Sequence, residues 1–105
     1  MWQIVRKQVR PNTSVDFYDP TTSTTLDKNI LRYFFQNYIL TGKHIDVAKA
    51  VSEDGLTQTI TVLWESQEAE AEFANDPQTV ALYDDGQNYR TANGISLEMI
   101  SASSV

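Results

Sequence analysis

Residues 44–64 read HIDVAKAVSEDGLTQTITVLW, two alternating runs on either side of Asp54-Gly55. The period of two across 44–52 and 57–64 predicts a pair of strands. Asp-Gly between them is a strong hairpin signal, because both central positions of the favoured turn take positive φ. With these two residues as the turn, Ile45 faces Trp64, Val47 faces Val62, Lys49 faces Ile60 and Val51 faces Gln58. This face is large and apolar except near the turn, so a helix is expected to cover it. The other face pairs Asp46 with Leu63, Ala48 with Thr61, Ala50 with Thr59 and Ser52 with Thr57. Small side chains and hydroxyls there suit either solvent or close approach by another sheet.

Upstream of the hairpin, Leu26 to Leu40 has helical spacing, with Thr24 and Asp27 placed as a capping pair and Gly42 as a stop. At about 100° per residue, Lys28, Asn29, Arg32 and Gln36 share a solvated arc. Leu26, Ile30, Leu31, Phe34, Phe35 and Tyr38 oppose them, with Asn37 inside the apolar arc. Residues 2–9 alternate β-branched and polar side chains up to Pro11 and predict a strand. Between strand and helix, Pro11 to Thr25 holds two prolines and seven Ser or Thr residues, a long irregular loop with Val15, Phe17 and Tyr18 as its anchors. Downstream, Ser66 caps a helix from Gln67 whose early turns carry Glu68, Glu70 and Glu72, favoured there by the helix dipole. Asp76-Pro77 breaks this helix, which is expected to resume with Asp76 as cap and run to about Thr91. Asn93-Gly94 ends it, and Ile95 to Ala102 is the last strand, with Ile95, Leu97 and Met99 on one face.

The resulting order, βαββαβ over a single domain 1–105, predicts an α+β ferredoxin-like plait: a four-stranded antiparallel sheet with two helices on one face. The third strand ends in Leu63-Trp64-Glu65-Ser66 and runs into an acidic helix, Phe73 and Asp76-Pro77. In this the chain resembles the dimeric α/β-barrel superfamily typified by antibiotic biosynthesis monooxygenases. The resemblance implies a homodimer in which the open faces of two sheets pack into a barrel, which suits the Ala/Thr/Ser face of the hairpin. It also implies a pocket between helices and sheet. Some members of the superfamily are cofactor-free oxygenases or isomerases, some bind haem, and many have no known reaction. Pocket residues in cofactor-free members tend to be Asn, Trp, His, Tyr or Arg, and Asn37 and Trp64 match in type. Fold analogy alone does not identify chemistry.

Composition narrows the function classes. The chain has 105 residues and no cysteine, so disulfides, thiolate nucleophiles and Cys-type metal sites are excluded. No apolar run approaches a membrane span and none follows the basic N-terminal residues as a signal peptide, so a cytoplasmic protein is expected. The net charge of −6 argues against nucleic acid as a partner. That charge is uneven: residues 1–43 carry a net +3 and residues 44–105 a net −9. The two parts can complement each other within the fold, or Arg6, Lys7 and Arg10 or the Glu-rich helix can dock a partner through charge.

The candidate site is assembled from few residues. His44 could act as a general base oriented by Asp46, two residues on and so expected on the same sheet face; the ordinary alternative is a surface histidine at a strand start. Asn37 could donate its amide to a developing oxyanion, or satisfy last-turn carbonyls of its own helix. Phe17, Tyr18, Tyr38 and Trp64 are the candidate ligand contacts, although Trp64 and the stripe Tyr33, Phe34, Phe35 and Tyr38 read first as core. No metal site is expected: His44 and Asp46 lack a third ligand, and Glu68 with Glu72 reads as a solvated face. Asp84-Asp85-Gly86-Gln87-Asn88 lacks calcium-loop spacing, no cofactor motif is present, and no cofactor is expected. The function classes that remain are a small homodimeric domain binding a small molecule between helices and sheet, a cofactor-free monooxygenase or isomerase of a small aromatic or polyketide-like compound, and a protein-interaction module.

Overall fold

The computed structural model describes residues 1–105. Strand β1, Trp2–Val9, lies at the centre of a four-stranded sheet with β2, His44–Val51, β3, Thr57–Trp64, and β4, Ser96–Ser104. The spatial order is β2-β3-β1-β4 and every pairing is antiparallel. Helix α1, Lys28–Phe34, continues into a π turn, Phe35–Ile39, while α2, Gln67–Ala74, and α3, Val80–Asn93, follow β3. This is the α+β ferredoxin-like plait expected from the order of elements.

The hairpin keeps the predicted register through most of its length: Val47 faces Val62, Lys49 faces Ile60 and Val51 faces Gln58. Two details differ. Only Gly55 has positive φ, at +77°, because Asp54 instead turns its carboxylate inward to accept from the Leu56 N–H and the Ser52 hydroxyl, which builds a wider loop. At the other end His44, not Ile45, faces Trp64, since Ile45 is the extra residue of a β-bulge. The bulge moves His44 to the helix-covered face and leaves Asp46, opposite Leu63, on the other. The expected His44–Asp46 pairing on one face is thereby corrected.

Helix boundaries follow their caps. Asp27 itself, and not Thr24, caps α1 by accepting from the Asn29 N–H at 2.9 Å. Ser66 caps α2 as predicted, accepting from Ala69 N–H at 3.0 Å. Asp76 holds the turn at Pro77–Thr79 rather than the first turn of α3, which begins at Val80 behind Thr79. Gly94, at φ +69°, ends α3 in the left-handed conformation that glycine adopts without a Cβ clash.

The core is aromatic and sits at one end of the covered face. Ile4, Tyr38, Trp64 and Ala69 form its buried centre, with Trp2, Tyr33, Phe34, Val62 and Phe73 packed around it. Trp64, Tyr38, Phe34 and Phe73 meet at ring separations of 5.2 to 6.3 Å, mostly edge to face, the geometry favoured by ring quadrupoles. One layer of helices covers one face only, so the molecule is a slab of 37 × 32 × 18 Å. Its bare face carries Val5, Val9, Ala48, Ala50, Leu63 and the row Thr57, Thr59 and Thr61, placed there by the strand register.

Both ion pairs, Lys43 with Glu72 at 2.8 Å and Lys7 with Glu98 at 3.6 Å, join the basic first part of the chain to its acidic remainder. Arg6, Lys7 and Arg10 do not form one basic patch. Strand alternation sends Arg6 to the covered face and Lys7 to the bare one, while Arg10 donates to the Gly55 and Val15 carbonyls and lies 4.4 Å over the Phe17 ring.

Candidate functional site

Beside the aromatic core the helices and sheet part, leaving a cavity of about 640 Å³. Its floor is the covered sheet face: Gln8 from β1, Ile60 from β3, and His44, Val47 and Lys49 from β2. Leu31, Arg32, Phe34, Phe35 and Ile39 of α1 and its π turn form one wall, Leu82 and Arg90 of α3 another, and Tyr18 to Thr21 the rim. Volume and lining fall in the range of small-molecule sites, which are concave, mostly apolar and carry a few placed polar groups.

The loop over the cavity is tied down from several sides. Asp85 of α3 accepts hydrogen bonds from the hydroxyls of Tyr18 at 2.6 Å, Ser23 at 2.7 Å and Thr25. Burial opposes ionisation of Asp85, but these three hydroxyls hold its carboxyl below the usual range. Burial and the adjacent Asp85 charge push the Tyr18 phenol well up, so it stays a donor. Tyr89 adds a bond from its hydroxyl to the Asp16 carbonyl at 2.7 Å. The 11–25 segment is therefore an anchored cover, closed by hydroxyls that the sequence showed only as a polar, proline-containing stretch.

Of the sequence-predicted residues, His44 and Tyr18 line this cavity and the others do not. His44 packs edge-on against Phe34 at 5.3 Å and Trp64 at 5.1 Å, and burial lowers its pKa, so the imidazole is neutral near pH 7. Asn37 is exposed, its amide donating to the Tyr33 carbonyl at 2.9 Å. The helical wheel misplaced it because the π turn, with Leu40 N–H bonded to the Phe35 carbonyl, advances each residue by less than the 100° assumed. Tyr38 and Trp64 are spent on the core, at 2% and 4% exposure. Tyr38 sends its hydroxyl the other way, to Asp76 at 2.6 Å, where Tyr33 also donates at 2.7 Å. Phe17 lies under Arg10, outside the cavity.

Sequence reasoning missed much of the polar lining, Gln8, Lys49 and Arg90 among it. Gln8, at 1% exposure, donates to Gln58 Oε1 at 3.0 Å and accepts from Arg90 Nη1 at 3.4 Å. The available signals were Lys49 on the apolar face of the hairpin and Gly86 in the middle of a helix, one turn before Arg90. Nowhere do three or more His, Asp or Glu side chains converge as a metal site.

The chain spans the full fold of a solved structure from Deinococcus radiodurans, a protein provisionally assigned as an antibiotic biosynthesis monooxygenase. The TM-score is 0.57 at 11% identity, covering 100% of this chain and 92% of that one. Looser matches are a Mycobacterium tuberculosis protein (15% identity, 96% and 94% coverage, TM-score 0.44) and an Arabidopsis thaliana protein (18% identity, 97% of both chains, TM-score 0.36). No protein-family profile and no curated protein matches the sequence. The expected ferredoxin-like architecture is thus shared with a solved structure at an identity that speaks to fold alone. No helix is long and apolar enough to cross a membrane.

Proposed function

We propose that this chain is a homodimeric domain that binds a small, largely apolar molecule between its helices and its sheet. The observation that carries the binding reading is the cavity: a hollow of about 640 Å³ next to an aromatic core, lined by Phe34, Phe35, Leu31, Val47, Ile60 and Leu82 and rimmed by an anchored loop. A ligand that takes the apolar lining of this pocket out of water binds the folded chain and not the unfolded one, and so stabilises it. In a thermal-shift titration, 2-naphthol is expected to raise the melting temperature of the native chain by several degrees. Ile60→Trp, which places a large ring on the floor, removes that response while the variant still melts cooperatively. A native chain unmoved at millimolar 2-naphthol, or an equal shift in the variant, overturns the reading.

The bare sheet face supports the second copy. A slab one helix layer thick leaves Val5, Val9, Ala48, Ala50 and Leu63 in water, and the small side chains along β2 let another sheet approach. Sedimentation at micromolar concentration is expected to give twice the chain mass of 11.9 kDa. A mass near one chain overturns the dimer.

His44 favours one further reading, a cofactor-free monooxygenase or isomerase of a small aromatic or polyketide-like compound. A neutral imidazole on the cavity floor can take a proton from an acidic O–H or C–H of a bound molecule. Asn37 lies outside the cavity and has no part in that chemistry. Turnover of a phenolic substrate that is abolished in His44→Phe supports the reading, and turnover equal in both chains removes it.

A further inference from the structure

We infer that the cavity selects an amphipathic organic anion, an aromatic or alicyclic carboxylate, and that Arg90 receives its acid group; the inference rests on the cavity being a ligand site. Arg90 leaves α3 near its C-terminal end, where an arginine could extend into solvent, yet its guanidinium folds inward. Gly86, one turn earlier, makes this possible. A Cβ at Gly86 would stand 3.2 Å from both Nη1 and Nη2 of Arg90 and 3.1 Å from the Tyr18 ring. Glycine in a helix interior is unfavourable, and here its missing side chain is the room that the guanidinium and the ring occupy.

The guanidinium so placed lacks an anionic partner. No carboxylate lies within 4 Å, since the two ion pairs involve Lys7 and Lys43. The Asp85 carboxylate on the same helix is taken by three hydroxyls. The one hydrogen bond that the Arg90 guanidinium donates, to Gln8 Oε1 at 3.4 Å, is long, and Gln8 is itself held by Gln58. A guanidinium has five N–H donors in a planar fork that matches a carboxylate in two parallel bonds. Lys49 on the floor and Arg32 on the wall add positive charge, and Asp19, tied to Thr21 at 2.9 and 2.7 Å, is the single carboxylate in the lining. A chain of net −6 thus has a cavity whose lining is net positive, with an apolar wall opposite. That combination fits a molecule with an apolar body and one acidic end.

The test compares 2-naphthoate with its neutral counterpart 2-naphthol by calorimetric titration of the full chain near pH 7. The native chain is expected to prefer naphthoate by about ten- to hundredfold, the yield of a charge-assisted bidentate contact. Arg90→Met is expected to abolish the preference while naphthol affinity is unchanged. Arg90→Lys, which keeps the charge and loses the fork, is expected to weaken naphthoate more than naphthol, and it serves where the Met variant does not fold. Equal affinities in the native chain, or a preference that survives in Arg90→Met or stays undiminished in Arg90→Lys, overturn the inference and leave the ligand cavity standing. Failure of both probes to bind overturns the inference together with the reading it rests on.

Discussion

The covered face of the sheet has two ends that share one set of strands, and they are built in opposite ways. At the Trp2, Trp64 and His44 end, aromatic rings from α1, α2 and β3 fill the space between layers. At the Gln8, Gln58 and Lys49 end the same layers stand around a hollow. Strand pairing decides which residues point inward, but side-chain size and charge decide whether that direction becomes core or site. Each end is also closed by a carboxylate that accepts tyrosine hydroxyls. Asp76 ties Tyr33 and Tyr38 at the packed end, and Asp85 ties Tyr18 at the hollow end.

The largest break in this comparison is at Trp64. Trp64→Ala removes the ring that touches Tyr38, His44 and Phe73, and is expected to cost about 3–5 kcal/mol in urea unfolding. A comparable loss from Leu82→Ala, which borders the hollow, would show that the two ends are packed alike.

A smaller effect separates the two clasps. Tyr38→Phe deletes a hydroxyl at the buried end and is expected to lower stability by about 1 kcal/mol, or about 4–8 °C in melting temperature. Tyr18→Phe is expected to leave the global melt nearly unchanged and instead to speed amide exchange in residues 16–25, because its bond holds a loop rather than the core. If both variants move the global melt equally, the loop belongs to the cooperative core.

The smallest effect is in the pH profile. Hydrogen bonds from Tyr38 and Tyr33 to Asp76, and those to Asp85 acting against its burial, hold both carboxyls below their ordinary values. Each therefore stabilises the fold at neutral pH, and this contribution disappears as pH falls below about 4. Burial likewise lowers His44, so the unfolded chain takes up that proton first and stability declines as pH drops below about 6.5. Unfolding free energies measured from pH 8 to 3 should show both limbs. His44→Phe should flatten the upper one and Asp85→Asn should reduce the lower one; an unchanged upper limb in His44→Phe assigns it elsewhere.

Much of the fold was legible because its signals are local. The strand β1, the pairing of Val47 with Val62 and Lys49 with Ile60, the Ser66 cap and the Gly94 stop each depend on a few neighbouring side chains. The errors fall where one inserted residue changes the count. The bulge at Ile45 carried His44 to the face opposite Asp46, and the π turn after Phe34 rotated Asn37 out of the apolar arc. Neither has a sequence mark, because each is adopted only when packing of the rest favours it. The site was less legible. His44 and Tyr18 were found by residue type, whereas Gln8, Lys49 and Arg90 were not.

The sequence by itself determined which residues could pair, which face would be apolar, and that a basic first part of the chain precedes an acidic remainder. Periodicity and capping act over one to five residues and need no knowledge of what lies across the layer. Tertiary structure decided where the filled end stops and the hollow begins. It also turned Arg90 inward, because that orientation requires Gly86 beneath it, Tyr18 from a loop some seventy residues earlier above it, and Gln8 from the first strand beside it. Those three meet only after the sheet has closed over the distance between them.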